Sequence, residues 1–458
     1  MSSNKDNSST NQALWSKGDL IDEAVHKFTV GNDPITDLNF IFHDCIASAA
    51  HAKMLTQINI LNKEELPKLL DSLKNISELS LENKFKIEIS QEDCHTAIES
   101  FLVKELGDIG KKIHTGRSRN DQVLVATRLY LRKSIVAILN LLASNVKKLR
   151  EKSLSSRDII MPGYTHYQRA MPTTFSVYLS AYSEMLIDCI KEGVSLFNLI
   201  NVNPLGAGSG FGVNFPLNRE LTTQYLNFNS TERNPIHIQN NRGRFEKKFA
   251  SWCSDIFLVI EKISCDLILF STDEFGFINI PKKFTTGSSI MPQKHNPDVL
   301  ELLRGYASTQ RSNEIELTLI TSKLPSSYHR DFQLTKEPMV RSFNLTNTAL
   351  LIIEAIIPDL STNIENIKKA LTPELYATYE ANKLVREGMA FRDAYKKTAE
   401  LLKENKIKVE DLKSEIEYIL DTEKNEFAVQ ELELKDILQK IALLNTQITE
   451  AENNIFKA

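Results

Sequence analysis

The residues of this chain best equipped for chemistry fall in three short polar strings. The first is Gly287-Ser288-Ser289-Ile290-Met291-Pro292-Gln293-Lys294-His295-Asn296-Pro297. It packs a flexible glycine, two hydroxyls, an ammonium and an amide between prolines, more than a plain interhelical loop needs. Lys and Asn side chains hold carboxylates, and a serine beside such a cation has its alkoxide stabilised enough to remove a carbon-bound proton. Taken alone, the string also reads as a turn leading into a helix at Asp298, because Ser, Pro and Asn are common turn and cap residues. The second string, residues 161–172, carries His166 between Thr165 and Tyr167. A histidine there is either a proton carrier near neutral pH or a cap bonded to backbone. The third is His114-Thr115-Gly116-Arg117-Ser118-Arg119-Asn120-Asp121. Two guanidinium forks with a Ser and an Asn suit a ligand with several carboxylates, although a basic turn by itself is usually just solvated.

The first string resembles the signature loop of the aspartase/fumarase superfamily, whose members eliminate across a bond to give fumarate. The resemblance implies that Ser288 removes the proton from the carbon next to a carboxylate, with Lys294 and Asn296 stabilising the carbanion as an aci-carboxylate. The physics agrees, since a fixed ammonium beside those oxygens stabilises the developing charge most when water is excluded. The second string is similar to the superfamily's Thr-His loop. By that likeness His166 pairs with Glu301, and His166 and Thr165 help to protonate the departing nitrogen.

The third string resembles the argininosuccinate lyase form of a region that differs in fumarases, aspartases and adenylosuccinate lyases. The implied substrate is argininosuccinate, bound through Ser118, Arg119 and Asn120 and cleaved to L-arginine and fumarate, the last step of arginine biosynthesis. Glu92-Asp93-Cys94-His95 followed by Glu99 resembles an acidic-His segment in which the His, here His95, contacts substrate, and His95 and Glu99 share a helix face at i and i+4. Tyr328, Asp331, Gln333 and Lys336 match the segment that grips the amino-acid end, and Asn203-Pro204-Leu205-Gly206 is similar to the loop before the central helix.

The resemblance covers about residues 14–400. It implies a three-domain, all-α fold and a cytoplasmic homotetramer whose active sites are shared between subunits. It implies no metal and no organic cofactor, because the substrate's own carboxylates supply the electron sink. Other readings are a sister fumarate-releasing lyase, a catalytically inactive crystallin-like relative, and a coiled-coil interaction module, the last resting only on the C-terminal fifty residues. The chain departs from the family pattern at His295, where Lys or Arg is common, and at Tyr167, where Leu is common. It departs again in 28–37 and in 234–244, the latter keeping Arg242.

The elements that must position these strings are helical. Phe249, Trp252, Cys253, Ile256, Val259, Ile260, Ile263, Leu267 and Phe270 recur at spacings of three and four, one apolar stripe over about six turns. Similar stripes run through 175–189 and 135–149, and each wants a partner helix. Leu434, Ile437, Ile441, Leu444 and Ile448 predict one more amphipathic helix, read as a packing helix. No strand pattern of useful length competes. The divisions expected are a disordered tail at 1–13, an N-terminal helical domain at 14–115, a long-helix bundle at 116–363 and a C-terminal helical domain at 364–458.

With 42% hydrophobic and 25% charged residues over 458 positions, there is material for a large core. A net charge of -4 and a pI near 6.2 offer no basic field for nucleic acid. The five cysteines form no CxxC pair and read as small buried thiols in a reducing compartment. No stretch is expected to span a membrane, and the first dozen residues lack the basic-then-apolar order of a secretory signal.

Overall fold

The computed structural model describes residues 22–407 and 413–457, with side chains from 429 onward in the last helix. The tail expected at 1–13 lies outside the described residues. The main helices are α1 (Glu23–Val30), α2 (Ile41–Gln57), α3 (Glu65–Leu81), α4 (Cys94–Leu106), α5 (Arg119–Leu154), α6 (Phe175–Ile200), α7 (Arg244–Phe270), α8 (Asp298–Thr321), α9 (Lys336–Ile356) and α10 (Lys413–Asn454). The fold is all-α, as the stripes predict.

The bundle is built from α5, α6, α7, α8 and α9, which pack along one another. Each begins or ends where local chemistry demands. Ser118 and Asp121 form a reciprocal capping box at the start of α5, and the Thr174 hydroxyl caps α6 by accepting from Val177 N–H at 3.0 Å. Gly243 precedes α7 at φ 81°, and an added Cβ there would collide with Thr321 at the end of α8. The α7 stripe is buried as expected, with Phe249, Cys253, Ile256 and Leu267 fully inside. Full burial of one such aliphatic or aromatic side chain is worth about 1.5–3 kcal/mol. At Gly193 in α6 a Cβ would run into the Trp252 ring, so this glycine lets α6 and α7 approach closely.

Two stretches, Arg119–Leu154 and Arg330–Asp359, are long and apolar enough by composition to cross a bilayer, which the expectation of no such stretch missed. In the first, 72% of the most apolar window is buried inside the protein, as befits a core helix. The same helix buries Arg128 and Arg132. Arg128 pairs with Glu232 at 2.8 Å and lies over the Phe245 ring, and Arg132 donates to the carbonyls of Leu226 and Asn227 at 3.0 Å.

The second departure is a β-hairpin, β1 (Ile160–Thr165) and β2 (Gln168–Thr174), paired antiparallel from Ile160↔Thr174 to Thr165↔Gln168. Pro162, Gly163 and Pro172 hide it in the sequence, because they break the alternation by which strands are recognised. A smaller pair, β3 (Thr286–Gly287) with β4 (His295–Asn296), closes the loop between them. The helix α10 packs along α5 and α6, burying Leu434, Ile437 and Ile441. All five cysteines are unpaired, four of them buried.

Candidate functional site

The three strings sit at two ends of the bundle. At one end lie the two hairpins. Tyr164 of β1 packs against Phe270, Phe275 and Phe277, where α7 finishes, and the β3–β4 loop leads directly into α8. At the other end the start of α5 meets the glycine-rich loop after α6 and the segment before α9. Between the ends run the 27 residues of α7 and the 24 of α8. At 1.5 Å per residue these helices separate the ends by about 36–40 Å.

At the hairpin end, Ser288 opens a loop with Ile290 83% exposed at its tip. The Ser288 Oγ accepts the backbone N–H groups of Met291 at 3.2 Å and Ile290 at 3.4 Å. Two N–H dipoles aimed at one hydroxyl oxygen favour negative charge there. Lys294 is exposed and Asn296 half-buried in β4, while Glu301 is exposed in the first turn of α8.

Thr165 and His166 occupy the tip of the other hairpin. His166 and Tyr167 have φ of 53° and 57°, a two-residue turn with both central residues left-handed, the form that matches strand twist. Histidine enters this region more readily than most residues, tyrosine less so. Tyr167 is 82% exposed. Among the described residues, His166 and Glu301 make no side-chain hydrogen bond or ion pair, so the chain by itself does not join the pair that the resemblance implies.

At the opposite end, Arg119, Asn120, Tyr328, Gln333 and Lys336 line one narrow cleft of about 50 Å³, together with Asp33, Glu92, Asp93, Arg242 and Arg330. Five expected substrate contacts are therefore gathered from two distant stretches of chain. Ser118 stands just behind as the cap of α5, its Oγ accepting from Asn120 N–H at 3.3 Å. The Arg119 guanidinium is held by Asp93 at 3.3 Å, Glu92 at 3.5 Å and the Thr96 hydroxyl at 2.8 Å.

Two of the expected grips are already engaged by the N-terminal segment. The Gln333 amide donates to the carbonyls of Thr29 and Val30, both at 3.0 Å. The Lys336 ammonium donates to Asp33 at 2.8 Å and to Asp37 at 2.6 Å. Burial, with Asp37 beside it, pushes the Asp33 carboxyl up to about 6 in spite of Lys336.

His95, expected at the substrate, is buried beneath the cleft at 5% exposure. Its Nδ1 lies 2.7 Å from Asp44, which also accepts from the Gln122 amide at 2.9 Å and the Ser48 hydroxyl at 3.2 Å. Burial alone would lower the His95 pKa, but Asp44, Asp93 and Asp37 raise it above its ordinary value. Burial likewise opposes ionisation of Asp44, yet His95, Arg117 and Gln122 hold it below the usual carboxylate range. Sequence reasoning missed Asp44; its signal was a lone acid in the otherwise apolar or small-residue run 44–50.

A family model described as lyase matches residues 18–309. An argininosuccinate lyase of Thermotoga neapolitana is 41% identical over 389 residues, covering 85% of this chain and 98% of the relative. One from Stenotrophomonas maltophilia is 40% identical, covering 84% and 90%. Among solved structures, a variant EDDS lyase with bound fumarate superposes with TM-score 0.75 at 22% identity over 96% of this chain and 97% of the other. A class II fumarase from Schistosoma mansoni gives 0.71 at 16% identity over 85% and 93%. The polar strings thus sit on a fold shared with fumarate-forming lyases and in a sequence close to one branch of them, and the chain belongs to the argininosuccinate lyase family.

Proposed function

We propose that the protein is an argininosuccinate lyase, cleaving argininosuccinate to L-arginine and fumarate. The observation that carries the mechanism is the Ser288 Oγ, half-buried at the start of an exposed loop and faced by the N–H groups of Ile290 and Met291. Ser288, as alkoxide, takes the proton from the carbon next to a succinate carboxylate. The electron pair spreads onto the carboxylate oxygens, where Lys294 and Asn296 stabilise it as an aci-carboxylate. The pair then returns to form the double bond and the carbon–nitrogen bond breaks. The departing guanidinium nitrogen gains its proton with the help of His166 and Thr165, and Glu301 pairs with His166 to favour the charged imidazole. Ser118, Arg119, Asn120, Tyr328, Gln333, Lys336 and His95 surround the substrate's charged groups.

In this reading the enzyme is a cytoplasmic homotetramer, and each active site draws its hairpins and its cleft from different subunits. Support comes from the helix lengths: about 36–40 Å is several times the reach of one substrate. The unpaired cysteines fit a reducing compartment.

The test is fumarate absorbance after adding argininosuccinate to the purified protein, with adenylosuccinate and malate as comparisons. Fumarate from argininosuccinate alone supports the reading. Fumarate only from another substrate would make the protein a sister lyase, and none from any would make it an inactive relative.

A further inference from the structure

Against the β1–β2 hairpin, between the start of α6 and the end of α7, lies a cavity of about 670 Å³ whose floor the proposed reaction does not use. Its walls are largely aromatic, with Tyr178 and Tyr182 from α6, Tyr164 from β1 and Phe270 from α7. The Tyr178 ring meets Tyr182 and Phe270 edge to face, with centroids 5.3 and 5.8 Å apart. The charged side chains lining it are Asp266 and Lys262, one turn of α7 apart, and the His166 imidazole also stands at its wall.

Lysine and aspartate four residues apart on a helix are placed to pair, and here they do not. Asp266 instead accepts both phenol hydroxyls on one oxygen, Oδ2, from Tyr182 at 2.6 Å and from Tyr178 at 3.3 Å. Among the described residues its Oδ1 has no partner, and the exposed Lys262 ammonium has none either. Burial above all, with Asp266 beside them, raises the pKa of both phenols, so the hydroxyls stay protonated and keep donating.

A carboxylate set among aromatic rings without a cation of its own has the chemistry of a cation receptor, because the ring faces and the acid favour the same positive charge. A planar guanidinium satisfies both, stacking on a ring while its edge meets the carboxylate. The unpaired ammonium of Lys262, about 6 Å back along α7, suits a carboxylate on the same molecule. The volume is that of a small-ligand site.

We infer that this cavity binds a guanidinium-bearing amino acid, with the guanidinium on Asp266 beside the tyrosine rings and the carboxylate on Lys262. The site lies at the opposite end of the bundle from the cleft at the start of α5, and its chemistry stands independently of the lyase reading.

The experiment titrates the full-length assembled protein by calorimetry with three probes: L-arginine, L-citrulline, whose ureido group is the neutral counterpart of the guanidinium, and agmatine, which is arginine without its carboxylate. In wild type, arginine is expected to show a binding event beyond any in the α5 cleft. Asp266→Asn should weaken that event about 10- to 100-fold, the scale of a hydrogen bond between charged groups. Asparagine keeps an oxygen for the Tyr178 and Tyr182 hydroxyls, so the fold should be retained, which circular dichroism and Tm check. Citrulline should bind there at least about tenfold more weakly than arginine. Lys262→Ala should weaken arginine by a few-fold, because Lys262 is exposed, and leave agmatine unchanged.

Arginine titrations unchanged in Asp266→Asn, citrulline binding as tightly as arginine, or Lys262→Ala weakening agmatine as much as arginine would each overturn the proposal. Should Asp266→Asn not fold, an arginine titration unaltered by Lys262→Ala overturns it alone. Fumarate release separates the two readings: Asp266-dependent arginine binding by a protein that releases no fumarate leaves this site standing and removes the lyase, and fumarate release without such binding does the reverse.

Discussion

Asp121 ties the start of α5 to Gly208: its Oδ2 accepts the backbone N–H groups of Gly206 at 2.9 Å and Gly208 at 3.0 Å, while Oδ1 accepts that of Ser118 at 2.9 Å. One buried carboxylate thus fixes a glycine loop against the helix end that presents Arg119 and Asn120. Asp121→Ala should lose the capping box and strand two buried N–H groups, about 3 kcal/mol in all. Urea denaturation measures this, and KM for argininosuccinate should rise in the same variant. Unchanged stability and KM would mean the loop is held by other contacts.

Ser288→Ala is expected to lower kcat by about a hundredfold or more, the scale for removing a positioned general base, with substrate binding little altered. Single-turnover fumarate release and calorimetric titration separate the two. Near wild-type turnover would remove Ser288 from its role.

Inactive variants at opposite loops should rescue each other. If sites are shared between subunits, His166→Asn and Ser288→Ala mixed after mild dissociation should form hybrid oligomers in which some sites combine intact loops, and fumarate production should partly return. Mass spectrometry identifies the hybrids. If they assemble and stay inactive, each site is built within one chain.

The Asp44–His95 pair predicts a pH dependence. The raised His95 pKa makes its contribution full below about 6.5, its ordinary value, and lost as pH rises through the higher folded value. The lowered Asp44 pKa makes its contribution present above 3.8 and lost as pH falls through the lower folded value. The stability advantage of wild type over His95→Gln, from denaturant titrations, should therefore shrink as pH rises above 6.5. An advantage that stays constant as pH rises above 6.5 would mean that His95 is neutral when folded.

The long helices were readable because an apolar stripe such as Phe249 to Phe270 depends only on spacing within one segment. Ser288, His166 and Arg119 were readable because family strings are local too. What was not readable depends on partners distant in sequence. Arg128 and Arg132 look like surface charges until the carbonyls of Val202, Leu226 and Asn227 are brought to them. Asp44 needs Gln122 to be recognised as a buried acceptor, and Lys336 needs Asp33 and Asp37 to be seen as already paired. The β1–β2 hairpin was hidden for a local reason, the prolines and glycine that interrupt its alternation.

The span of α7 and α8 also acts as a ruler. Removing one residue from either helix would turn everything beyond it by about 100° and draw it in by about 1.5 Å, so the Ser288 loop would face another direction and fall short of its counterpart. A residue added between 201 and 218 would be absorbed by a loop. Changes of length compatible with activity should therefore collect in the connections and after residue 400, while the helix interiors accept substitutions but hold their residue count.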